Sequence, residues 1–306
     1  MKNKTQKNSL WDLSKWDRQN RSGGAFTAAA VLPVFLSLLF VIVIAIAGLD
    51  KQKNFEYSDW YLYVSYLISP VCFCIIAILL FTKTEEKPKE YLSAGKGRYY
   101  FIAILLQFGL FSLSALNGLF LQLLEKWFGY QNDPILLPNV YGGGIVGVTL
   151  VVALLPAIFE ELFFRGILLK GLKEYGVWFS ALVCGGLFSL FHQNPAQTVY
   201  QFVCGVLFAL VAIKSGSIFP TVISHFLNNV VIILLYRFGV EAFSTRFEIP
   251  FMICSGLALC LSCAYLFFFD RRKVENPPKK SAFFLYACGG IALMAISWIS
   301  VFFSGV

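Results

Sequence analysis

A series of long, uninterrupted apolar segments limits this chain to few possible folds. Nine such segments fall at 25–49, 59–82, 99–124, 145–169, 176–192, 196–213, 217–237, 249–269 and 282–304. Most contain the roughly 20 residues that a helix needs to cross a bilayer core of about 30 Å. Backbone in lipid must form its hydrogen bonds within its own segment, so these segments predict helices. We therefore predict an all-α, polytopic transmembrane bundle of about eight or nine spanning helices, the fifth and sixth segments being short.

Positive charge predicts which helix ends share a side of the membrane. Of the 25 Lys and Arg residues, 19 lie in 1–24 and in the loops 83–98, 170–175, 214–216 and 270–281. Such an excess is typical of cytoplasmic segments, so we predict a multi-pass protein of the cell membrane with a cytoplasmic N-terminus. Because these residues are scattered over separate loops, the net charge of +8 does not indicate nucleic-acid binding.

Polar, Lys-rich loops divide the chain into four parts. We predict a basic cytoplasmic tail at 1–24, N-terminal transmembrane helices at 25–144, a middle block at 145–237 and C-terminal helices at 238–306. All eight cysteines fall in apolar segments, so no disulfide framework is expected.

Polar and ionisable side chains inside apolar segments are costly and mark functional sites by default. Here they cluster in the middle block, which also holds both histidines of the chain. The candidates are Glu160, Glu161 and Arg165 in the fourth segment, His192 at the end of the fifth, and His225 with Asn229 in the seventh.

Helical spacing sorts these residues by face. Glu161 and Arg165 are four residues apart, which favours an ion pair on one face. Glu160 lies about 100° around the same helix and is left to face elsewhere. His225 and Asn229 are also four apart, so both can point into one cavity.

The candidate set predicts hydrolysis by an activated water molecule. Glu160 is suited to take a proton from water as a general base. Histidine and asparagine side chains can donate hydrogen bonds to the oxyanion that develops. No serine or cysteine forms a nucleophile constellation, and no cofactor is expected. Phe188, one turn before His192, is predicted to pack that histidine in place.

Three short motifs resemble those of the CAAX prenyl protease and bacteriocin-processing family, also called the Abi family. They are Glu160-Glu161-x-x-x-Arg165, Phe188-x-x-x-His192 and His225-x-x-x-Asn229, in that order. The resemblance covers roughly 145–237 and implies an intramembrane glutamic endopeptidase with this block as its catalytic core. It implies Glu160 as the base, His192 holding the water, and His225 with Asn229 at the oxyanion. The resemblance also implies that Glu161 and Arg165 support the structure of the site.

Other interpretations stay open from the sequence. One is a non-proteolytic scaffold, since buried polar groups also tie membrane helices together. Another is a zinc peptidase with His192, His225 and Glu160 as ligands. A third is a proton-coupled transporter. The expected partners are the bilayer and a membrane-associated peptide or protein as substrate.

The predicted depths of the candidate residues do not all agree. Glu160 lies ten residues from Lys170, about 15 Å along a helix, and His225 lies a similar distance from Ser217. His192, counted from Tyr175, lies about 25 Å along its helix. A helical hairpin that protrudes near 170–178, or a strong tilt, would reconcile these depths.

Overall fold

The computed structural model describes Leu13 and residues 16–240, 245–269 and 283–306, and these ranges contain helices and no strand. Eight helices among them are long and apolar enough to cross a membrane. The predicted all-α polytopic bundle is therefore confirmed, and the chain is a multi-pass membrane protein.

Within the described residues, ten helices make up the bundle. They are α1 (Arg18–Ala47), α2 (Asp59–Lys83), α3 (Arg98–Leu110), α4 (Leu113–Phe128), α5 (Gly144–Tyr175), α6 (Val177–Phe191), α7 (Thr198–Ser215), α8 (Phe219–Phe238), α9 (Thr245–Ala264) and α10 (Phe283–Ser304). α3 and α4 together form one apolar span, Arg98–Phe128, with a break at its middle. Three-residue 3-10 helices at Leu49–Lys51, Phe55–Tyr57, Pro88–Glu90 and Pro195–Gln197 lie in the connections.

The fifth predicted span is wrong as a full crossing. α6 has only 15 residues, which is about 22 Å of helix against a core of about 30 Å. The sixth segment does reach spanning length, because the 3-10 turn at Pro195–Gln197 extends α7 into the 21-residue run Pro195–Ser215. α6 and α7 form a hairpin that packs against α5.

The predicted basic loops gather at one end of the bundle, called here the basic end. The Arg21 guanidinium lies 3.1 Å from the Glu86 carboxylate, which joins α1 to the loop after α2. Lys170 Nζ donates to the Glu90 carbonyl at 2.8 Å, and the Ser217 hydroxyl donates to the Ser93 carbonyl. This grouping agrees with the predicted topology. The loop 270–281 lies outside the described residues. The side of the membrane on which the basic end lies stays a prediction.

The opposite helix ends meet each other in the same way. Asn139 N donates to Asp59 Oδ1 at 2.7 Å. Arg237 Nη1 donates to the Val140 carbonyl at 2.8 Å. These contacts place the loops after α1, α4 and α8 together, so the helices alternate in direction as a membrane bundle requires.

The core of the bundle surrounds the second half of α5. Residues 161–169 are all buried, and aromatic rings from neighbouring helices pack against this stretch. Phe163 lies 4.8 Å from Phe73 of α2, and Phe164 lies 5.1 Å from Phe188 of α6, measured between ring centroids. α5 is thus fixed on several sides, which holds its polar side chains in set directions. All eight cysteines are free, as expected from their positions.

Candidate active site

The two adjacent glutamates lie between two irregular stretches of α5. The α-helical turn Leu155–Glu161 is preceded by π-helix at Thr149–Leu154 and followed by π-helix at Leu162–Leu168. π-helical turns are rare and occur often at functional sites. The Glu161 side chain is fully buried, whereas that of Glu160 keeps 14% of its surface exposed. The two carboxylates therefore face different surroundings, as the 100° offset predicts.

Arg165 holds the buried Glu161 carboxylate. Its Nη1 lies 2.8 Å from Glu161 Oε1, and both side chains are fully buried. The guanidinium carbon also lies 4.2 Å from the ring centroid of Phe188. Nη2 is 3.5 Å from the Gly205 carbonyl oxygen. This is the pair that the i, i+4 spacing predicts, and its supporting role in catalysis stays a prediction.

The Gly205 carbonyl can approach Arg165 because α6 and α7 cross very closely. A Cβ atom on Gly205 would lie only 2.7 Å from the Cα atom of Gly185. Only glycine fits at this crossing, since the obstructing atoms are backbone. The close contact brings the α7 backbone within reach of the guanidinium.

His225 connects the two glutamates. Its Nδ1 lies 3.0 Å from Glu161 Oε1, and its Nε2 lies 3.9 Å from Glu160 Oε2. A carboxylate paired with an arginine only accepts hydrogen bonds, so Nδ1 of His225 donates to it. The Nε2 atom is then directed towards Glu160. Sequence reasoning assigned Glu161 to Arg165 alone and missed this second contact.

His192 joins the site through Phe188. Its Nδ1 lies 2.8 Å from the Phe188 carbonyl oxygen, which only accepts, so Nδ1 carries the proton and Nε2 is an acceptor in the neutral ring. The Phe188 ring lies 4.7 Å from the His192 ring and 6.0 Å from the His225 ring, between centroids. The predicted packing of Phe188 on His192 is present, and its contact with His225 is an addition.

The mismatch in predicted depth comes from the point at which α5 ends. The helix continues past Lys170 to Tyr175, and Gly176, with φ +93°, makes the turn into α6. Glu160 lies sixteen residues before this glycine and His192 sixteen after it. At an α-helical rise both legs would be about 24 Å long, which places the two side chains at a similar level. Of the two ways to reconcile the depths, the structure shows the helical hairpin.

Asn229 lies one turn further along α8 than His225. Its Nδ2 is 3.5 Å from the Val152 carbonyl oxygen, so it contacts α5 two turns before Glu160. Its Oδ1 accepts from Asn228 Nδ2 at 3.3 Å. The structure therefore brings Asn229 to the same side of α8 as His225, as predicted, and next to a second asparagine.

Two residues near this asparagine pair were missed from the sequence. Gln107 Nε2 donates to Asn228 Oδ1 at 3.1 Å, and the Tyr200 hydroxyl donates to the same oxygen at 2.9 Å. Gln107 is 1% exposed in an otherwise apolar stretch of α3. A buried amide within an apolar segment is itself a signal that could have drawn attention to it.

The Glu160 carboxylate has an unsatisfied oxygen within this cluster. Its Oε2 atom is buried and has no hydrogen-bond partner among the residues that the structure describes, as is also true of Glu161 Oε2. Buried polar atoms are nearly always hydrogen-bonded to protein or to ordered water. This oxygen is therefore suited to bind a water molecule or a polar group of a ligand.

The described ranges contain no group of three or more His, Cys, Asp or Glu side chains arranged to hold a metal ion. The zinc alternative with His192, His225 and Glu160 as ligands thus gains no support from the geometry and stays a prediction for metal analysis to decide.

A cavity of about 280 Å³ opens at the basic end, between the α5–α6 turn and the α7–α8 turn. Lys170, Lys173 and Ile218 line it, and so does Arg165. Glu160, His192, His225 and Asn229 do not line it, so the cavity reaches the candidate site at Arg165 and at none of the four proposed catalytic side chains.

Fold and site together define a multi-pass helical membrane protein with a polar cluster of carboxylates, imidazoles and carboxamides in its interior. Residues 142–231 match the family model described as type II CAAX prenyl endopeptidase Rce1-like, which supports the resemblance that the three motifs indicate in this part of the chain. The match starts just before α5 and ends within α8. It indicates a CAAX-type intramembrane protease in general terms. Searches of the curated proteins and of the solved structures gave no match.

Proposed function

We propose that this chain is an intramembrane glutamic endopeptidase that hydrolyses a peptide bond of a membrane-associated peptide or protein. The single observation that carries the proposal is the pairing of Glu160 with His225. Oε2 of Glu160 is buried, has no hydrogen-bond partner among the described residues and lies 3.9 Å from Nε2 of His225. A water molecule at about 2.8 Å from each atom would bridge them.

Glu160 acts as the general base in this scheme. It removes a proton from the bridging water as the oxygen attacks the carbonyl carbon of the scissile bond. Nε2 of His192 accepts the second hydrogen of the same water and orients it, since Nδ1 of His192 is committed to the Phe188 carbonyl. The C–N bond then breaks, and Glu160 returns its proton to the leaving amine.

His225 and Asn229 stabilise the oxyanion of the tetrahedral intermediate. His225 can donate from Nε2 only when it is doubly protonated, because Nδ1 is already bound to Glu161. Two carboxylates flank the ring, with Glu161 Oε1 3.0 Å from Nδ1 and Glu160 Oε2 3.9 Å from Nε2. Arg165 fixes Glu161, and Glu161 in turn fixes the ring.

The test uses Glu160→Gln, which keeps the shape of the side chain and removes the base. Loss of a general base lowers the rate by roughly 10²–10⁴-fold. We expect peptides to accumulate in membranes of cells that carry this variant and not in those that carry wild type. Glu125→Gln is the matched control, because Glu125 lies exposed on α4.

Two results would contradict the proposal. One is an identical membrane peptidome for wild type and Glu160→Gln. The other is full cellular function of Glu160→Gln, which would favour the scaffold interpretation. Loss of activity on chelation, with zinc present in the purified protein, would instead favour the zinc peptidase.

A further inference from the structure

The two asparagines of α8 lie in a continuous chain of hydrogen bonds that begins outside the catalytic cluster. Asn228 Oδ1 accepts from Gln107 of α3 at 3.1 Å and from the Tyr200 hydroxyl of α7 at 2.9 Å. With its oxygen engaged by two donors, Asn228 turns its Nδ2 towards Asn229 Oδ1, 3.3 Å away. The chain thus joins three helices and ends on a residue proposed to bind the oxyanion.

The far end of the chain imposes the same orientation independently. The Val152 carbonyl lies 3.5 Å from Asn229 Nδ2, and a carbonyl oxygen can only accept. A flipped Asn229 would place its oxygen against the Val152 carbonyl and its NH₂ group against that of Asn228. The orientation of the Asn229 amide is therefore fixed from both sides by hydrogen-bond complementarity.

Orientation decides what an asparagine can do at an oxyanion. Its NH₂ group has two N–H donors, of which the bond to Val152 uses one at the long end of the hydrogen-bond range. Within the described part of the chain no second acceptor engages this group, which leaves the other N–H available to a developing negative charge. A flipped amide would present an oxygen instead and would repel that charge.

We propose that Gln107, Tyr200 and Asn228 are positioning residues that hold the Asn229 carboxamide with its N–H donor towards the substrate. This inference rests on the proposed function, because it assigns Asn229 to the oxyanion. It also extends the site beyond residues 142–231, since Gln107 belongs to α3. We call this chain of hydrogen bonds through Gln107, Tyr200 and Asn228 the relay. Burial strengthens the relay, because a low dielectric raises the free-energy cost of any mispaired amide.

The first experiment observes the amide directly and needs no turnover. Protein labelled with ¹⁵N-asparagine in detergent micelles gives side-chain amide signals, and Asn229→Ala identifies that of Asn229. Tyr200→Phe and Asn228→Asp should both shift this signal. Tyr236→Phe, a lipid-exposed change on the same helix, should leave it in place. An Asn229 signal that is unchanged by both relay variants would overturn the proposal.

The second experiment measures kinetics with an internally quenched peptide pool in micelles, after wild type and Glu160→Gln have been compared. Loss of an oxyanion donor costs roughly 10²–10³-fold in kcat. We expect Asn228→Asp and Tyr200→Phe to lower kcat by roughly tenfold or more with KM unchanged, as a partial loss of that donor. In an Asn229→Ala background, the same two substitutions should change kcat less than twofold.

The two backgrounds separate positioning from simple stability. A structural role would lower activity by the same factor in both backgrounds, and that result would overturn the proposal. If wild type and Glu160→Gln do not differ in turnover, the proposed function fails, while the amide signals still decide whether the relay orients Asn229.

Discussion

The buried ion pair between Glu161 and Arg165 gives the most quantitative prediction. Both side chains are fully buried and their charged atoms lie 2.8 Å apart. Arg165→Met keeps the apolar length of the side chain but leaves the Glu161 carboxylate without its cationic partner, with the His225 ring and the Thr221 hydroxyl still beside it. Breaking one side of a buried pair costs about 3–5 kcal/mol. The folding equilibrium should therefore fall by roughly 10²- to 4 × 10³-fold, at about 1.4 kcal/mol per factor of ten.

A double substitution distinguishes the lost pair from lost packing. Glu161→Gln combined with Arg165→Met removes both charges and leaves the glutamine carbonyl to accept from His225. Replacing a whole buried pair by neutral groups is often close to neutral, so the double variant should recover most of the stability. The surface control is Arg18→Met, whose side chain is 47% exposed and 3.5 Å from Glu86. Because Glu86, itself only 5% exposed, keeps Arg21 at 3.1 Å, loss of the half-exposed Arg18 should cost little, about 0–1 kcal/mol as for a surface pair.

Unfolding in mixed micelles with increasing sodium dodecyl sulfate, followed by tryptophan fluorescence, measures all three variants. The order of midpoints should be Arg18→Met close to wild type, then the double variant, then Arg165→Met well below both. The reasoning is refuted if Arg165→Met unfolds at the same midpoint as Arg18→Met, or if the double variant is no more stable than Arg165→Met alone.

Two further predictions concern packing and topology. Gly205→Ala should be less stable than Gly186→Ala by about 1–3 kcal/mol, since its Cβ meets backbone at 2.7 Å while that of Gly186 meets nothing nearer than 4.0 Å. Both gain the same helix propensity, so equal unfolding midpoints would contradict the close crossing of α6 and α7. In a cysteine-free background, Asn132→Cys should react with an impermeant maleimide on intact cells. Lys96→Cys should react only after permeabilisation. The reverse pattern would contradict the predicted cytoplasmic position of the basic end.

Relations within one helix were predictable from the sequence, because helical spacing determines which residues share a face. The Glu161–Arg165 pair and the common face of His225 and Asn229 both follow from a separation of four residues. Apolar length predicted the spanning helices in the same way. The family motifs then identified the same residues, and the roles in catalysis remain proposals.

Contacts between helices were not predictable in this way. The bond from His225 to Glu161 joins residues 64 positions apart, and no periodicity in a single segment shows it. Gln107 was passed over for the same reason, since its partner Asn228 lies 121 positions away. These contacts depend on how α3, α5 and α8 rotate against one another, which packing decides.

The end of α5 was misplaced although the sequence held a signal for it. Lys170, Lys173 and Glu174 resemble a polar loop, and the predicted span stopped at 169. A helix can continue into water, however, and nothing in this stretch interrupts it before Gly176. Glycine just past the last helical residue is a common stop signal. If Gly176, and not the polar residues before it, is taken to end α5, the sequence places Glu160 and His192 at equal depth.

The α5–α6 hairpin has two legs of sixteen residues each, counted from Gly176 to Glu160 and to His192. These two lengths determine whether the carboxylate and the imidazole lie at the same level. One residue inserted into either leg would shift everything beyond it by about 1.5 Å and rotate it by about 100°. Such an insertion would turn Glu160 or His192 out of the site even with every polar residue retained. Length changes between these residues are therefore tolerable only at the tip around Gly176, and the 32-residue separation of Glu160 and His192 is itself a requirement of the proposed site.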